Sequence, residues 1–269
     1  MRIGSRDFAT TGHTYIMGIL NVTPDSFSDG GKFDQIDAAL KHAEEMIRDG
    51  ADVIDIGGES TRPGYTKISD EEETDRVVPV IEAVKKEFGI PISVDTYKSG
   101  VAEAAAQAGA DLINDIWGLK YDPHMSEVIA KSGLACCLMH NRDNTEYRNF
   151  MEDVKQDLRE TIALAKAAGI ADDKIILDPG VGFAKSYENN LEVIRRLKEF
   201  NELKYPVLLG TSRKSVIGLT LDLPAAERVE GTIVTTVMAV EAGCMFVRVH
   251  DVKENHRAIQ MAEAILDRK

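Results

Sequence analysis

Short runs rich in Val, Ile and Leu alternate along the chain with longer stretches whose apolar residues recur every three or four positions, the pattern of a strand followed by an amphipathic helix. Eight such runs cover 14–20, 53–56, 92–94, 112–116, 134–139, 175–177, 207–209 and 245–249. Most are continuously apolar, which predicts strands buried on both faces of a parallel sheet. Helices are predicted between them over 36–49, 71–88, 99–108, 123–131, 152–168, 189–200, 224–241 and 252–266. Gly50, Gly109, Gly133, Gly169 and Gly243 stand where a helix must stop and turn into the next strand. Two of these junctions, Gly50-Ala-Asp-Val-Ile-Asp and Gly109-Ala-Asp-Leu-Ile-Asn, look like one turn used twice. Eight consecutive units without a low-complexity linker predict a single (β/α)8 TIM barrel, one domain over residues 1–269. No Gly-x-Gly-x-x-Gly follows the first run, which disfavours a doubly wound dinucleotide-binding sheet.

Composition narrows the function classes. With 43% hydrophobic and 29% charged residues the chain is an ordinary globular mixture, which excludes disorder and fibre. No apolar run approaches the ~18 residues that span a bilayer. Lys and Arg number 32 against 45 Asp and Glu, a net charge of −13 with no basic tract, so a nucleic-acid backbone would be repelled. Small anions remain possible ligands, because charge is screened over about 8 Å and a local cationic cluster governs its own pocket. The first residues lack the apolar stretch of a secretory signal, and the cysteines include the adjacent pair Cys136-Cys137 within an apolar run. Both features predict a reducing cytoplasm.

In a TIM barrel the chemistry lies where the strands end, at the C-terminal mouth. There the chain places Asn21, Asp55, Asp95, Asn114 with Asp115, His140, Asp178, the cluster Thr211-Ser212-Arg213-Lys214-Ser215, and Arg248 with His250 and Asp251. One such residue could simply cap the next helix, but so many converging on one mouth point to a site. Asp95 and Asp178 directly end apolar strands, and a carboxylate turned inward there needs donors to offset its desolvation, which a ligand could supply. Paired carboxylates also serve glycoside hydrolysis. Here they come with Asn114 and Lys214, which suit planar recognition as well as proton transfer. A flat heterocycle with a 2-amino-4-oxo edge offers paired N–H donors that Asp178 could grip in bidentate fashion. Cationic groups gather at Arg62, Arg213, Lys214, Arg248 and His250, an expected anion site. The Val-Arg-Val-His alternation puts Arg248 and His250 on one side of their strand.

His42 and His256 fall in predicted helices, His13 precedes the first strand and His124 follows a turn proline, so all four read as structural; His140 fits either a structural role or one in the site. No Cys or His pattern has zinc spacing. Mg²⁺ differs, since it needs only one or two protein oxygens plus substrate phosphates, and the Asn21 carbonyl could be one. Two long loops rich in Gly, Pro, Ser and Thr, 21–31 and 57–69, read as covers over the mouth.

Those loops carry a resemblance. Gly18-Ile-Leu-Asn-Val-Thr-Pro-Asp-Ser-Phe-Ser-Asp-Gly-Gly31 and Asp55-Ile-Gly-Gly-Glu-Ser-Thr-Arg-Pro-Gly64 look like the two signature segments of the dihydropteroate synthase family. Further matches in the same order are Ser93-Val-Asp-Thr-Tyr-Lys98, Ile113-Asn-Asp-Ile-Trp117, Leu138-Met-His-Asn-Arg142, Leu177-Asp-Pro-Gly-Val-Gly-Phe183, Gly210-Thr-Ser-Arg-Lys-Ser215 and Phe246-Val-Arg-Val-His250. The resemblance implies condensation of 6-hydroxymethyl-7,8-dihydropterin diphosphate with p-aminobenzoate, giving 7,8-dihydropteroate and diphosphate in folate synthesis. It places Asp95, Asn114, Ile116, Met139, Asp178 and Lys214 on the pterin. Asn21, Thr61, Arg248 and His250 meet the diphosphate, with Mg²⁺ held at Asn21. Phe27, Arg62, Pro63, Phe183 and Ser215 meet p-aminobenzoate. The catalytic set implied is Asn21, Asp29, Asp95, Lys214, Arg248 and His250, acting by dissociative loss of diphosphate. Sulfonamides are implied as mimics of p-aminobenzoate, and a homodimer as the assembly. A methyltetrahydrofolate-class methyltransferase barrel shares the pterin logic but needs no diphosphate clamp, and a noncatalytic pterin binder would not need the intact loops.

Overall fold

The structure, a computed structural model, describes residues 1–23, 32–60 and 66–268. A two-stranded hairpin, β1 (Arg2–Ile3) and β2 (Arg6–Asp7), opens the chain. Eight parallel strands follow: β3 (Tyr15–Asn21), β4 (Val53–Gly57), β5 (Ile92–Asp95), β6 (Leu112–Asp115), β7 (Ala135–Met139), β8 (Ile175–Asp178), β9 (Leu208–Leu209) and β10 (Phe246–Val249). They run β8-β7-β6-β5-β4-β3-β10-β9, and a parallel bridge from Leu177 to Val207, just before β9, joins the two ends. The predicted TIM barrel is therefore present.

The helices lie between strands: α1 (Lys32–Asp49), α2 (Asp70–Phe88), α3 (Ser99–Ala108), α4 (Met125–Ser132), α5 (Phe150–Ala167), α6 (Tyr187–Arg195), α7 (Ser215–Leu221), α8 (Val229–Ala242) and α9 (Val252–Ile265). Four details depart from the sequence pattern, one being that the helix expected over 224–241 opens as a separate 3-10 turn, Ala225–Glu227, before α8. The hairpin at 2–7 and helix α7 were not predicted, and the helix expected over 189–200 divides into α6 and a 3-10 stretch, Leu197–Leu203. Each is too short for periodicity to register, and α7 begins inside a polar cluster that reads as loop.

Strand alternation builds two cores. Outward residues such as Ile54, Ile56, Ile92, Val94, Ile113, Leu138, Leu177 and Val247 pack against the helices. Inward residues Met17, Val53, Leu112, Cys137, Ile176, Leu208 and Phe246 fill the lower barrel, which Ile3 and Phe8 of the hairpin segment close from below. Two residues further along each strand, the same inward parity gives Asp55 above Val53, Asn114 above Leu112, Met139 above Cys137, Asp178 above Ile176, Gly210 above Leu208 and Arg248 above Phe246. The register staggers this upper layer: Asp95 pairs with Gly57 and Asn114, and Met139 with Asp178, while Asp55 pairs with Ser93 and Arg248 with Met17. The barrel is apolar below and polar above because the inward positions change type toward the C-terminal end of most strands.

Candidate active site

Arg248 is the hub of the polar layer. Its Nε donates to Asp55 Oδ2 at 2.6 Å and its Nη2 to Asp95 Oδ2 at 2.5 Å. Asp55 is fully buried and Asp95 is 8% exposed. Asp55 Oδ1, Asp95 Oδ1 and Ser93 Oγ are buried with no hydrogen-bond partner among the described residues, so the layer retains acceptors that a donor-rich ligand or water can use. Burial raises the Asp95 pKa to about 7, Arg248 opposing and the Asp55 charge adding to it. Against its own desolvation, Arg248 is held firmly charged by Asp55 and Asp95. The expectation that Asp95 waits unpaired for a ligand is thus corrected: this chain's own guanidinium supplies one of its donors.

Across the barrel, Asp178 Oδ1 accepts the Gly180 N–H at 2.7 Å. Burial raises its pKa, with Lys214 pulling the other way. Gly210 keeps the space beside it open, since a Cβ there would stand 3.4 Å from Asp178 Oδ2 and 3.9 Å from Lys214 Nζ. Lys214 donates to the Val181 carbonyl, and its Nζ lies 4.7 Å from the centre of the Phe183 ring. Burial lowers its pKa to about 8, which Asp178 partly offsets. Ile116 and Met139 pack with Tyr97, flanked by Trp117 and Phe183, so an apolar cluster adjoins the charged groups. Asp95, Asn114, Ile116, Met139, Asp178 and Lys214 thus share one end of the barrel, as a flat ligand with a polar rim requires.

Asn21 ends β3 next to Gly57, where a Cβ would lie 3.5 Å from Asp95 Cβ and 3.7 Å from Asn21 Oδ1. His250 follows β10; its Nδ1 meets the Ser212 hydroxyl at 2.9 Å, and its own N–H donates to the same oxygen at 3.1 Å. Arg213 is bound by Asp251 through Nε at 3.0 Å and through Nη2, so it leaves the expected anion cluster. Ser215 is exposed at the first position of α7. Phe27, Asp29, Thr61, Arg62 and Pro63 lie outside the described residues.

His140 is resolved as a buried, fully bonded histidine. Its Nε2 meets Asp157 Oδ2 at 2.9 Å and its Nδ1 meets Lys185 Nζ at 2.8 Å. Burial lowers its pKa to about 4, and that of Lys185 to about 7. Sequence reasoning gave no role to Asp55, which sits two residues before the end of β4; strand alternation was the signal, since it shares parity with Val53 below. It also missed a buried ion cluster at the base of the second loop. Lys98 Nζ meets Glu59 Oε2 at 2.8 Å, Glu73 Oε2 at 2.7 Å and the Ile68 carbonyl at 2.8 Å, while Tyr97 donates to Glu59 Oε1 at 2.5 Å.

A barrel whose mouth sets carboxylates, a buried lysine and an apolar slab side by side belongs to a recognisable class, and the sequence profile of the pterin binding enzymes matches residues 17–250. The chain is 62% identical over 269 residues to a dihydropteroate synthase of Clostridium beijerinckii, each covering the other completely. With a Bacillus subtilis dihydropteroate synthase it shares 56% over 255 residues, 95% of this chain and 90% of the relative. The crystal structure of the Clostridium difficile dihydropteroate synthase in the presence of pteroic acid superposes with a TM-score of 0.93 at 52% identity, covering all of both chains. A Yersinia pestis dihydropteroate synthase with a sulfonamide drug superposes at 0.93 and 43% identity, over 99% of each. The chain therefore belongs to the dihydropteroate synthase family, transferases of folate synthesis.

Proposed function

We propose that the barrel mouth condenses 6-hydroxymethyl-7,8-dihydropterin diphosphate with p-aminobenzoate by dissociative loss of diphosphate. The observation that carries this reading is the division of the polar layer into Asp178 with Lys214 on one side and Arg248 with Asp55 and Asp95 on the other, beside the apolar cluster of Tyr97, Ile116 and Met139. Asp178 and Asn114 take the polar edge of the pterin, Lys214 its oxygen, and Ile116 and Met139 its faces. An aromatic amine is neutral at pH 7 and needs little help from a base, so the demanding step is breaking the C–O bond to diphosphate. Arg248, His250, Asn21 and Thr61 stabilise the departing negative charge, while Asp29 and Asp95 stabilise the cationic methylene that remains. p-Aminobenzoate lies against Phe27, Pro63 and Phe183, with its carboxylate at Ser215 and Arg62.

The donor set fits Mg²⁺. Asn21 offers a neutral hard oxygen at the mouth, and no cluster of three or more His, Cys, Asp or Glu among the described residues forms a cage for a softer or larger ion. Asn21 would hold the ion with the substrate's phosphates, and the bound ion would neutralise charge on the leaving group.

Four further properties accompany the activity. Exposed Leu219, Val234 and Val237 on α7 and α8 support a homodimer through this face. Cys136, Cys137 and Cys244 are buried and unpaired, which supports a cytoplasmic setting, and none of the described helices is long and apolar enough to cross a membrane. One domain over 1–269 agrees with a barrel that uses all eight units. Sulfonamides compete with p-aminobenzoate as isosteres.

Diphosphate release tests the reading. The expected result is release coupled to dihydropteroate formation, dependent on both p-aminobenzoate and Mg²⁺. Methyl transfer without diphosphate release would favour the methyltransferase alternative, and binding without turnover a noncatalytic one.

A further inference from the structure

The turn that follows β8 is tied together by one side chain outside the polar layer. Lys185 Nζ donates to the Gly180 carbonyl at 2.9 Å and the Phe183 carbonyl at 3.1 Å, and stands 2.8 Å from His140 Nδ1. The Asp157 carboxylate can only accept from His140 Nε2, so in the neutral ring Nδ1 is the acceptor, and the three N–H groups of a Lys185 ammonium match its three partners. The ring proton then sits on Nε2 and is donated to Asp157 Oδ2. Asp157 suits this duty: against the upward push of burial, hydrogen bonds from His140 and Arg142 hold its carboxyl well below the usual range.

The same turn governs Asp178. Its carboxylate Oδ1 takes the Gly180 N–H, and its backbone carbonyl takes the His140 N–H at 2.8 Å. Gly180 adopts a φ of +71°, and a Cβ there would come within 2.0 Å of the His140 carbonyl oxygen, so the peptide presses directly on β7's exit. Phe183 closes the turn by donating its N–H to the Gly180 carbonyl at 3.1 Å. One carbonyl, Gly180's, is therefore shared between Phe183 and Lys185, while the N–H of the same residue orients the carboxylate. That N–H and that carbonyl lie in adjacent peptide planes that meet at the Gly180 Cα, so if Lys185 releases the Gly180 and Phe183 carbonyls the turn loosens around that Cα and the donor that sets the Asp178 rotamer is no longer held in place. A bidentate contact tolerates rotation of that carboxylate poorly, because it requires alignment within about 10–20°.

We propose that Lys185 is a positioning residue for the pterin: seated on His140 and Asp157, it fixes the turn at Gly180 and through it the Asp178 carboxylate, a role that rests on the assignment of Asp178 to the pterin made above. Lys185 itself touches no substrate. His140, left between two roles by its sequence position, serves the site as the seat of that lysine.

The test compares Lys185→Met, Asp178→Asn and the double variant by calorimetry with 6-hydroxymethyl-7,8-dihydropterin, which lacks the diphosphate, and separately with Mg²⁺-diphosphate. Lys185→Met should weaken pterin binding by about 10-fold, the lower end of the loss when a supporting residue is removed, and leave diphosphate affinity within about twofold. In the double variant the two losses should not add, because both act through one carboxylate. Lys185→Gln, which keeps two donors, should regain part of the affinity. Melting temperatures establish that each variant folds; if Lys185→Met does not, Lys185→Gln is judged by the same criteria at a smaller loss. Wild-type pterin affinity in the variant, equal loss of both ligands, or fully additive losses would overturn the role of Lys185. Unchanged pterin affinity in Asp178→Asn would instead overturn the pterin assignment itself, so the two failures are separable.

Discussion

Arg248→Met removes the only cation among the described residues that bridges Asp55 and Asp95 while keeping an unbranched stem as far as the Nε position. Both carboxylates are almost wholly buried, and Arg248 meets them at 2.6 and 2.5 Å. Deleting one member of a buried ion pair costs about 3–5 kcal/mol, because the partner's charge is left without compensation. Protonation offers partial relief. Asp95 already lies at about 7 with Arg248 in place, and loss of the guanidinium pushes it higher. A carboxyl raised in the folded state contributes stability that is complete below its ordinary value near 3.8 and is lost as pH rises through the folded value. The deficit of the variant should therefore be greatest above pH 7 and shrink toward about pH 5, where a proton replaces the missing cation. Urea unfolding of both proteins at about pH 5 and about pH 8 measures it. A deficit below about 1 kcal/mol at the higher pH, the scale of an exposed ion pair, would refute the reasoning. So would a deficit independent of pH.

Turnover of Arg248→Ala should fall by about 10²–10³-fold, as for loss of one preorganised electrostatic group, and steady-state kinetics would expose a near-normal rate. Asp178→Asn should weaken pterin binding by about 1.5–3 kcal/mol, since an amide can turn a donor toward a donor; calorimetry showing no change would contradict this. Lys98→Met strands Glu59 and Glu73, both buried, and should cost about 3–5 kcal/mol in denaturant unfolding. Val234→Glu on the exposed face of α8 should convert the proposed dimer to monomer in sedimentation velocity, and an unchanged mass would remove that face from the interface.

Much of the barrel was legible because its strands are buried on both faces and read as continuous apolar runs, while a glycine ends most helices. Segments too short to show a period escaped: the opening hairpin, α7, and the 3-10 stretch after α6. In the site, position at strand ends was enough to gather Asp95, Asn114, Asp178, Lys214 and Arg248. Position could not say how they pair. That Arg213 turns to Asp251, and that Arg248 spans two carboxylates, depends on contacts between residues far apart in sequence. Asp55 was visible as a polar residue in an apolar strand, yet only the register of β4 against β5 shows it level with Ser93 in the barrel interior. Lys185 gave less signal still, a lone lysine after a glycine-rich turn, and its importance comes from the carbonyls that the turn directs inward.

The central claim is that a pterin ring is gripped at its polar rim between Asp95 and Asp178 while its diphosphate is drawn toward Arg248 and Asn21. A crystal structure with 6-hydroxymethyl-7,8-dihydropterin diphosphate bound tests this most directly. The account predicts the 2-amino-4-oxo edge within hydrogen-bonding distance of Asp178, the ring beside Ile116 and Met139, and Arg248 on the phosphate side. A ring lying outside the barrel mouth, or turned with its diphosphate toward Asp178, would contradict it.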